Sequence, residues 1–330
     1  MKAIVYDQPG GAEQLRLAEV EDPSPAAPQV LLHVAATALN RADLLQREGK
    51  YPVPPGASPI LGLEVAGTVL EVGAEAEGFE VGDNACALVN GGGYAQQIAV
   101  DHRMLLKLPE RLSFTKAAAI PEAFLTAYQA LHWIGRLGAA DTVLIHAGAS
   151  GVGTAAIQLV RLAGAVPIVT ASAHKHERLR ELGAAHCIDY RSEDFAEAVL
   201  GLTDGKGADI ILDFVGGPYL KQNFAAAATD ARIVSLAALG GARAPDFSMA
   251  PFLRKRLSLT GTTMRSRTDD YRQRLTADFR RDIWPHFADG TLASVVDTIY
   301  DWEEVAAAHR YMASNANVGK IVLTIGIVDP

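Results

Sequence analysis

The sequence predicts an α/β chain in which a doubly wound parallel sheet interrupts a β-rich domain. Three observations predict it. Thr142–Val160 reads TVLIHAGASGVGTAAIQLV, an apolar strand entering a glycine-rich turn and then an apolar helix. Before residue 121, short apolar or alternating runs follow one another between turn residues; beyond it, strand-like and helix-like runs alternate. The chain has 330 residues, 49% of them apolar, enough for about two cores.

In order, candidate strands are Lys2–Tyr6, Val30–Ala38, Glu64–Val72, Asn84–Val89 and Ala95–Val100. Turn signals separate them at Pro9-Gly10-Gly11, Pro23–Pro28, Gly82-Asp83 and Gly91-Gly92-Gly93. A short helix is expected at Arg41–Glu48, then a stiff loop holding Pro52, Pro54, Pro55, Gly56 and Pro59. Strands of the parallel sheet are expected at Thr142–His146, Val166–Ala171, His186–Ile188, Asp209–Phe214, Arg232–Leu236 and Leu257–Gly261. The helices between and after them are Gly151–Ala163, His176–Leu182, Asp194–Leu202, Leu220–Ala228 and Asp269–Ala288. A β-like run (Val295–Tyr300), a helix (Trp302–Ala313) and a final strand (Lys320–Ile325) read as a return to the first domain. The expected divisions are 1–120, 121–264 and 265–330.

Gly151-Val152-Gly153-Thr154-Ala155-Ala156 fits the G-x-G-x-x-G/A pattern of the dinucleotide-binding Rossmann fold. On that reading Gly151 permits the tight turn, Gly153 admits a pyrophosphate to the backbone, and Ala156 lets the helix approach the strand. Ser150, Gly151, Val152 and Gly153 then line the positive end of a helix. The competing reading is a tight glycine turn without nucleotide.

An NAD site usually carries an acid about 20 residues on, at the end of the second strand. No acid stands between Thr154 and His176; the strand ends in Ser172, and Lys175 follows between two histidines. A missing carboxylate with a nearby cation suits the 2′-phosphate of NADPH, with Ser172 and Tyr190 as further donors. Lys175 also has a plainer reading, a solvated lysine at a helix start. Ligands of such sheets lie beyond the carboxyl ends of the strands, which nominates Val215, Leu239 and Met264 in their loops. Asp213 fits the organiser of its own loop, and His146 a satisfied structural histidine.

A net charge of −8 leaves no basic footprint for nucleic acid. Cys86 and Cys187 cannot make a disulfide framework and suit a reducing, cytoplasmic compartment. The opening MKAIVYDQPGG is not patterned as a secretory signal. Thr142–Val160 nears the length of a membrane span, but its glycines and small polar residues favour strand, turn and helix.

Further segments carry a family resemblance: Ala38–Leu44, Pro55–Ser58, Ile60–Glu64, Leu144–Gly153, Pro285–Phe287 and Val318–Leu323. Through them the chain resembles, over essentially its whole length, the zinc-independent quinone oxidoreductases of the medium-chain dehydrogenase/reductase superfamily. It is most similar to the tumour-suppressor-inducible branch. The resemblance implies a GroES-like catalytic domain, built from the N-terminal segment and the C-terminal tail, around an inserted Rossmann domain. Zinc-bearing relatives have a Cys before the Asp43 region and a His before the Glu64 position; here Asn40 and Leu63 stand there, so no metal is expected. Ser150 departs from the glycine found in many quinone reductases.

The resemblance also places Tyr51 and Asn40 in a substrate cleft as the catalytic candidates, and Asn40, Thr126 and Asn317 near the nicotinamide. Tyr51 would hydrogen-bond a quinone or enone oxygen, or else simply pack in its proline-rich loop. Asn40 also suits an N-cap for the following helix. Glu64 reads as structural, and Gly91–Tyr94 as an ordinary hairpin turn. The expected reaction is metal-free hydride transfer from NADPH to a quinone. An α,β-unsaturated ketone or thioester is the alternative acceptor, and an NADPH-binding protein with little turnover is the alternative class. Leu257–Gly261, as the last strand, would leave a sheet edge through which a homodimer is expected, as in related proteins.

Overall fold

The computed structural model describes residues 1–244 and 247–326. Two compact units divide the chain, Met1–Leu125 with Arg265–Pro330, and Thr126–Met264.

The first unit opens with β1 (Lys2–Val5) paired antiparallel to β2 (Arg16–Glu19). Next come β3 (Gln29–Ala38), α1 (Arg41–Arg47), β4 (Glu64–Val72), β5 (Asn84–Leu88), β6 (Gln97–Asp101), β7 (Leu105–Lys107) and the short α2 (Phe114–Ala117). On β3, Val30, Leu32, Val34, Ala36 and Ala38 are buried at a spacing of two, while His33 faces solvent. The short β2 and β7 escaped the sequence reading; each has too few residues to show a period. Next, α3 (Pro121–Tyr128) carries the chain across the division, which falls after Leu125 rather than after residue 120. The Phe124 ring packs edge-on against Phe287 at 4.9 Å and keeps the start of α3 with the first unit. Gln129–Ile134 then continues as a π-helical turn, a widening with no sequence signature.

The second unit alternates β8 (Thr142–Ile145), α4 (Gly151–Leu162), β9 (Val166–Thr170), α5 (His176–Glu181), β10 (His186–Ile188), α6 (Phe195–Leu202), β11 (Ala208–Asp213), α7 (Leu220–Ala226), β12 (Ala227–Ser235), α8 (Met249–Arg254) and β13 (Ser258–Gly261). All pairings are parallel, in the order β10-β9-β8-β11-β12-β13. This is a Rossmann sheet: the strand order reverses beside β8, and the glycine turn follows β8 at that switch point. Val143, Leu144 and Ile145 are fully buried because helices cover both faces. One core cluster contains Leu144, Ile168, Phe195, Val199, Ile211, Phe224 and Ile233. β13 is the edge strand, and its four residues are exposed.

The chain returns to the first unit with α9 (Asp269–Asp282), α10 (Pro285–Asp289), β14 (Val296–Asp301), α11 (Val305–Ala313) and β15 (Lys320–Thr324). The single helix expected over Asp269–Ala288 is two helices. Pro285 lacks the N–H that would continue the first, and it starts the second instead. β15 inserts between β14 and β3, giving the order β14-β15-β3-β4-β5-β7 with β6 also paired to β3. The sheet thus joins the two ends of the first unit, with Val322 opposite Ala38.

Candidate functional site

The residues nominated from the sequence fall in both units. In the second unit, β8 ends at Ile145 and α4 starts at Gly151. The turn between them contains Ala147 in the left-handed region, φ 49°. Ser150 is the N-cap of α4, and its hydroxyl accepts the N–H of Gly153 at 3.0 Å. By helix geometry the N–H groups of Gly151 and Val152 have no acceptor within α4, so they are the donors offered to an anion. Gly153 also answers a packing demand. A Cβ there would lie 2.5 Å from the Ala147 carbonyl oxygen and 2.6 Å from that of Gly148. Its bareness lets the helix sit on its own turn.

Ser172 follows β9, and its hydroxyl lies 3.5 Å from the Tyr190 phenol beyond β10. That contact lowers the Tyr190 pKa, and Arg191 adds to it with its guanidinium 5.8 Å from the ring centroid. Lys175 lies at the end of the turn that Ser172 begins and is only 9% exposed, so the solvated-lysine reading fails. Ser172, Lys175 and Tyr190 therefore all lie beyond the carboxyl ends of the neighbouring strands β9 and β10. Arg191 was missed because an arginine in a polar loop has no distinguishing pattern.

At the ends of β11 and β12, the N–H of Gly240 bonds the Val215 carbonyl and that of Leu239 bonds the Phe214 carbonyl, joining the two nominated loops. Asp213 accepts from the N–H groups of Val215 and Gly216 at 2.8 and 3.1 Å and so organises its own loop. Burial raises its pKa. Met264 and Thr126, at the two limits of this unit, are both buried. His146 is held by Thr170 and Asn223 at 3.0 and 2.7 Å, and burial pushes its pKa down to about 4. It is a structural, neutral imidazole.

The first unit holds Asn40 in a charged network. Lys320, at the start of β15, donates to the Asn40 amide oxygen at 2.6 Å, to the Leu39 carbonyl at 2.7 Å, and pairs with Glu64 at 2.7 Å. The Asn40 amide nitrogen donates to the same Glu64 oxygen at 2.9 Å. The other Glu64 oxygen accepts the N–H of Glu122 at 2.8 Å. The two charged side chains are 5% and 0% exposed. Asn40 is therefore fixed at both ends of its amide. Glu64 is structural in that it anchors this residue. Lys320 was passed over although a lysine opening the apolar run KIVLT demands a buried partner.

The N–H of Asn40 also donates to Asp43, which takes a second N–H from Gly62. Behind this lies a relay of fixed direction. Arg47 can only donate, so it gives to His309 Nδ1 at 3.1 Å. His309 Nε2 then donates to the Tyr94 hydroxyl at 3.2 Å, and that hydroxyl to Asp43 at 3.4 Å. Burial and Arg47 push His309 down to about 3, whereas burial raises Asp43 to about 6 against its N–H donors.

Tyr51 lies half-buried at the start of the proline loop, with the Arg265 guanidinium 5.5 Å from its ring centroid. Its phenol pKa is raised by burial and Glu122, and Arg265 opposes the shift. Asn317 turns its amide onto the Gly319 carbonyl at 2.7 Å, within its own turn.

Two family models match: the alcohol dehydrogenase GroES-like domain over residues 26–110 and the zinc-binding dehydrogenase over residues 151–279. A curated relative, one of the subunits of the phenolphthiocerol/phthiocerol polyketide synthase of Mycobacterium tuberculosis, is 33% identical over 98% of this chain. The chain spans only 15% of that relative's length. The synaptic vesicle membrane protein VAT-1 homolog of Danio rerio is 31% identical over 98% of the chain and 70% of its own length. Among solved structures, an NAD-dependent alcohol dehydrogenase superposes with a TM-score of 0.87 at 31% identity, covering 99% of this chain and 100% of its own. The CurK enoyl reductase gives 0.87 at 28%, covering 98% of each chain. A quinone oxidoreductase of Pseudomonas syringae pv. Tomato DC3000 gives 0.86 at 28%, covering 98% and 99%.

The zinc named by one family model does not fit these side chains. Asn40 offers an amide already bonded at both ends, Leu63 offers no donor, and Glu64 is neutralised by Lys320. Among the described residues no cluster of three His, Cys, Asp or Glu could hold a metal ion. The Rossmann sheet, the glycine turn at its switch point and the relatives at 31–33% identity agree: the chain is an oxidoreductase fold that takes a nicotinamide cofactor, and it belongs to the medium-chain dehydrogenase/reductase superfamily.

Proposed function

We propose that this protein reduces a quinone with NADPH by metal-free hydride transfer. One observation carries the reading. The first unit offers a half-buried phenol, Tyr51, and a saturated Asn40–Glu64–Lys320 network in place of metal donors. An acceptor served by such a site has to be electrophilic already, as a quinone is. When bound, NADPH supplies the hydride. The N–H groups of Gly151 and Val152 would hold its pyrophosphate. Ser172, Lys175 and Tyr190 would hold its 2′-phosphate, since β9 ends without an acid. Val215, Leu239, Met264, Thr126 and Asn317 complete the proposed cofactor contacts. Tyr51 donates to the acceptor oxygen, and Asn40, locked by Lys320, keeps its surroundings in register.

The CurK neighbour, as similar as the quinone oxidoreductase, supports a second reading, reduction of an α,β-unsaturated ketone or thioester. Initial rates of NADPH and NADH oxidation with ortho- and para-quinones, enones and enoyl thioesters side by side decide between them. Faster quinone turnover with NADPH is expected, and a faster enone or thioester would transfer the assignment. Tight NADPH binding without turnover on any acceptor would leave a binding protein instead. The exposed edge strand β13 is the surface proposed for a homodimer, checked by light scattering.

A further inference from the structure

We propose that Arg265 is a positioning residue for Tyr51: its guanidinium, held by hydrogen bonds of its own, fixes the orientation of the phenol ring and sets a positive charge beside it. This rests on Tyr51 being the acceptor-binding phenol. Arg265 is only 6% exposed, and its hydrogen bonds go to neutral oxygens. The Asn90 carbonyl accepts from Nε at 3.1 Å and from one terminal nitrogen at 2.8 Å; the Gln46 amide oxygen accepts from the other at 2.7 Å. These bonds leave the planar cation to face the Tyr51 ring at 5.5 Å. With neutral hydrogen-bond partners, the desolvated cation directs its field to Tyr51 first and, more weakly, to the carboxylates of Asp43 and Glu122 and the Tyr6 phenol.

The anchor also ties the loop on which Tyr51 sits. Gln46, 3% exposed on α1, uses its amide nitrogen to bind the Pro59 carbonyl at 2.9 Å, at the far end of that loop. The prolines between stiffen the span. One glutamine thus couples the guanidinium to the loop end, and the guanidinium meets the ring at the loop start. Electrostatics points the same way. Burial and Glu122 make the phenol a poorer proton donor, and Arg265 acts against both. When hydride transfer leaves negative charge on the acceptor oxygen, a phenol beside a fixed cation gives up its proton more readily.

The test is a cycle of Arg265→Gln and Arg265→Lys in the wild-type and Tyr51→Phe backgrounds of the full chain. The readouts are quinone kcat, KM for NADPH, and titration of ring-labelled tyrosine by NMR. The Tyr51 signal is the one absent from Tyr51→Phe. Arg265→Gln is expected to lower kcat roughly three- to tenfold, leave KM for NADPH unchanged and move the Tyr51 titration to higher pH. Arg265→Lys keeps the charge but loses the planar fork, so it should recover the titration and only part of kcat. In the Tyr51→Phe background neither change should cost more. Equal losses in both backgrounds, or a Tyr51 titration that Arg265→Gln does not move, overturn the proposal. Wild-type turnover by Tyr51→Phe would instead remove Tyr51 from the reaction, while the titration still decides whether Arg265 acts on the phenol. If Arg265→Gln does not fold, Arg265→Lys carries the cycle through kcat, whose partial loss has to vanish in the Tyr51→Phe background.

Discussion

The glycine turn and the Asn40 network are built in opposite ways. In the turn, Ser150 caps Gly153 three residues away, and the donors offered to a ligand are backbone N–H groups. In the network, Asn40 meets Lys320 across 280 residues of sequence, Glu64 across 24, and Glu64 meets Glu122 across 58. The first needs small residues at set spacings. The second needs a buried charge pair delivered by three strands and a helix start. A local motif advertises itself in sequence, whereas a network shows only as unremarkable single residues. The difference also predicts that breaking the network costs mainly stability, while breaking the turn costs cofactor binding as well.

The largest expected effect tests the network. Lys320→Met leaves the Glu64 carboxylate buried without its cation and should cost about 3–5 kcal/mol in urea unfolding. Adding Glu64→Leu should restore much of the loss, since two apolar residues leave no orphaned charge. A single-mutant cost below about 1 kcal/mol would mean that the pair holds little.

Acid pH separates the two regions next. Neutral His146 in the second unit and neutral His309 in the first have folded pKa values of about 4 and 3, below their ordinary 6.5. Their stabilisation is full above pH 6.5 and is lost as pH falls through that range toward 3–4. Asp43, raised from 3.8 to about 6, acts in the opposite sense: its contribution is present below 3.8 and lost as pH rises through 6. Two histidines against one acid leave a net loss of about 3 kcal/mol on acidification from 6.5 to 4. Asp43→Asn should steepen that fall, and His309→Gln should flatten it. A pH-independent unfolding free energy over this range would contradict both assignments.

Breaking the turn comes third. Gly153→Ala puts a Cβ against the Ala147 and Gly148 carbonyls and should cost about 1–3 kcal/mol of stability, with weaker NADPH binding by fluorescence titration. Unchanged binding would detach this packing from the cofactor. Smallest is Lys175→Ala. It should weaken NADPH about tenfold, about 1.4 kcal/mol, and leave NADH untouched. An equal loss for both cofactors would place Lys175 away from the 2′-phosphate.

Much of the second unit was legible in the sequence. Five of its six strands were placed within one or two residues, since the inner strands read as apolar runs and the helices between them keep a different period; β12 begins at Ala227, five residues before the expected Arg232 and within the expected helix Leu220–Ala228. The helix break before Pro285 carried a visible signal that the long amphipathic pattern concealed. The first unit was less legible at its site. Tyr51 and Asn40 stood out only through family resemblance, and Arg265, Gln46 and Lys320 did not stand out as site residues. Asn40 was weighed as a helix cap. It is the N-cap of α1, its N–H meeting Asp43 in a capping box, and its side chain also serves Lys320 and Glu64.

By itself the sequence determined the strand–helix alternation of the parallel sheet, the nucleotide-type turn and the absence of an acid before Lys175. Each of these is a matter of residue type at short spacing. Only the tertiary structure decided that a Cβ at Gly153 would strike the carbonyls of its own turn, and that Lys175 is buried. It alone showed that a lysine at position 320 neutralises a glutamate at 64 and that an arginine at 265 faces Tyr51. Burial makes such pairings strong, and the fold, not the neighbouring sequence, chooses which charges are buried together.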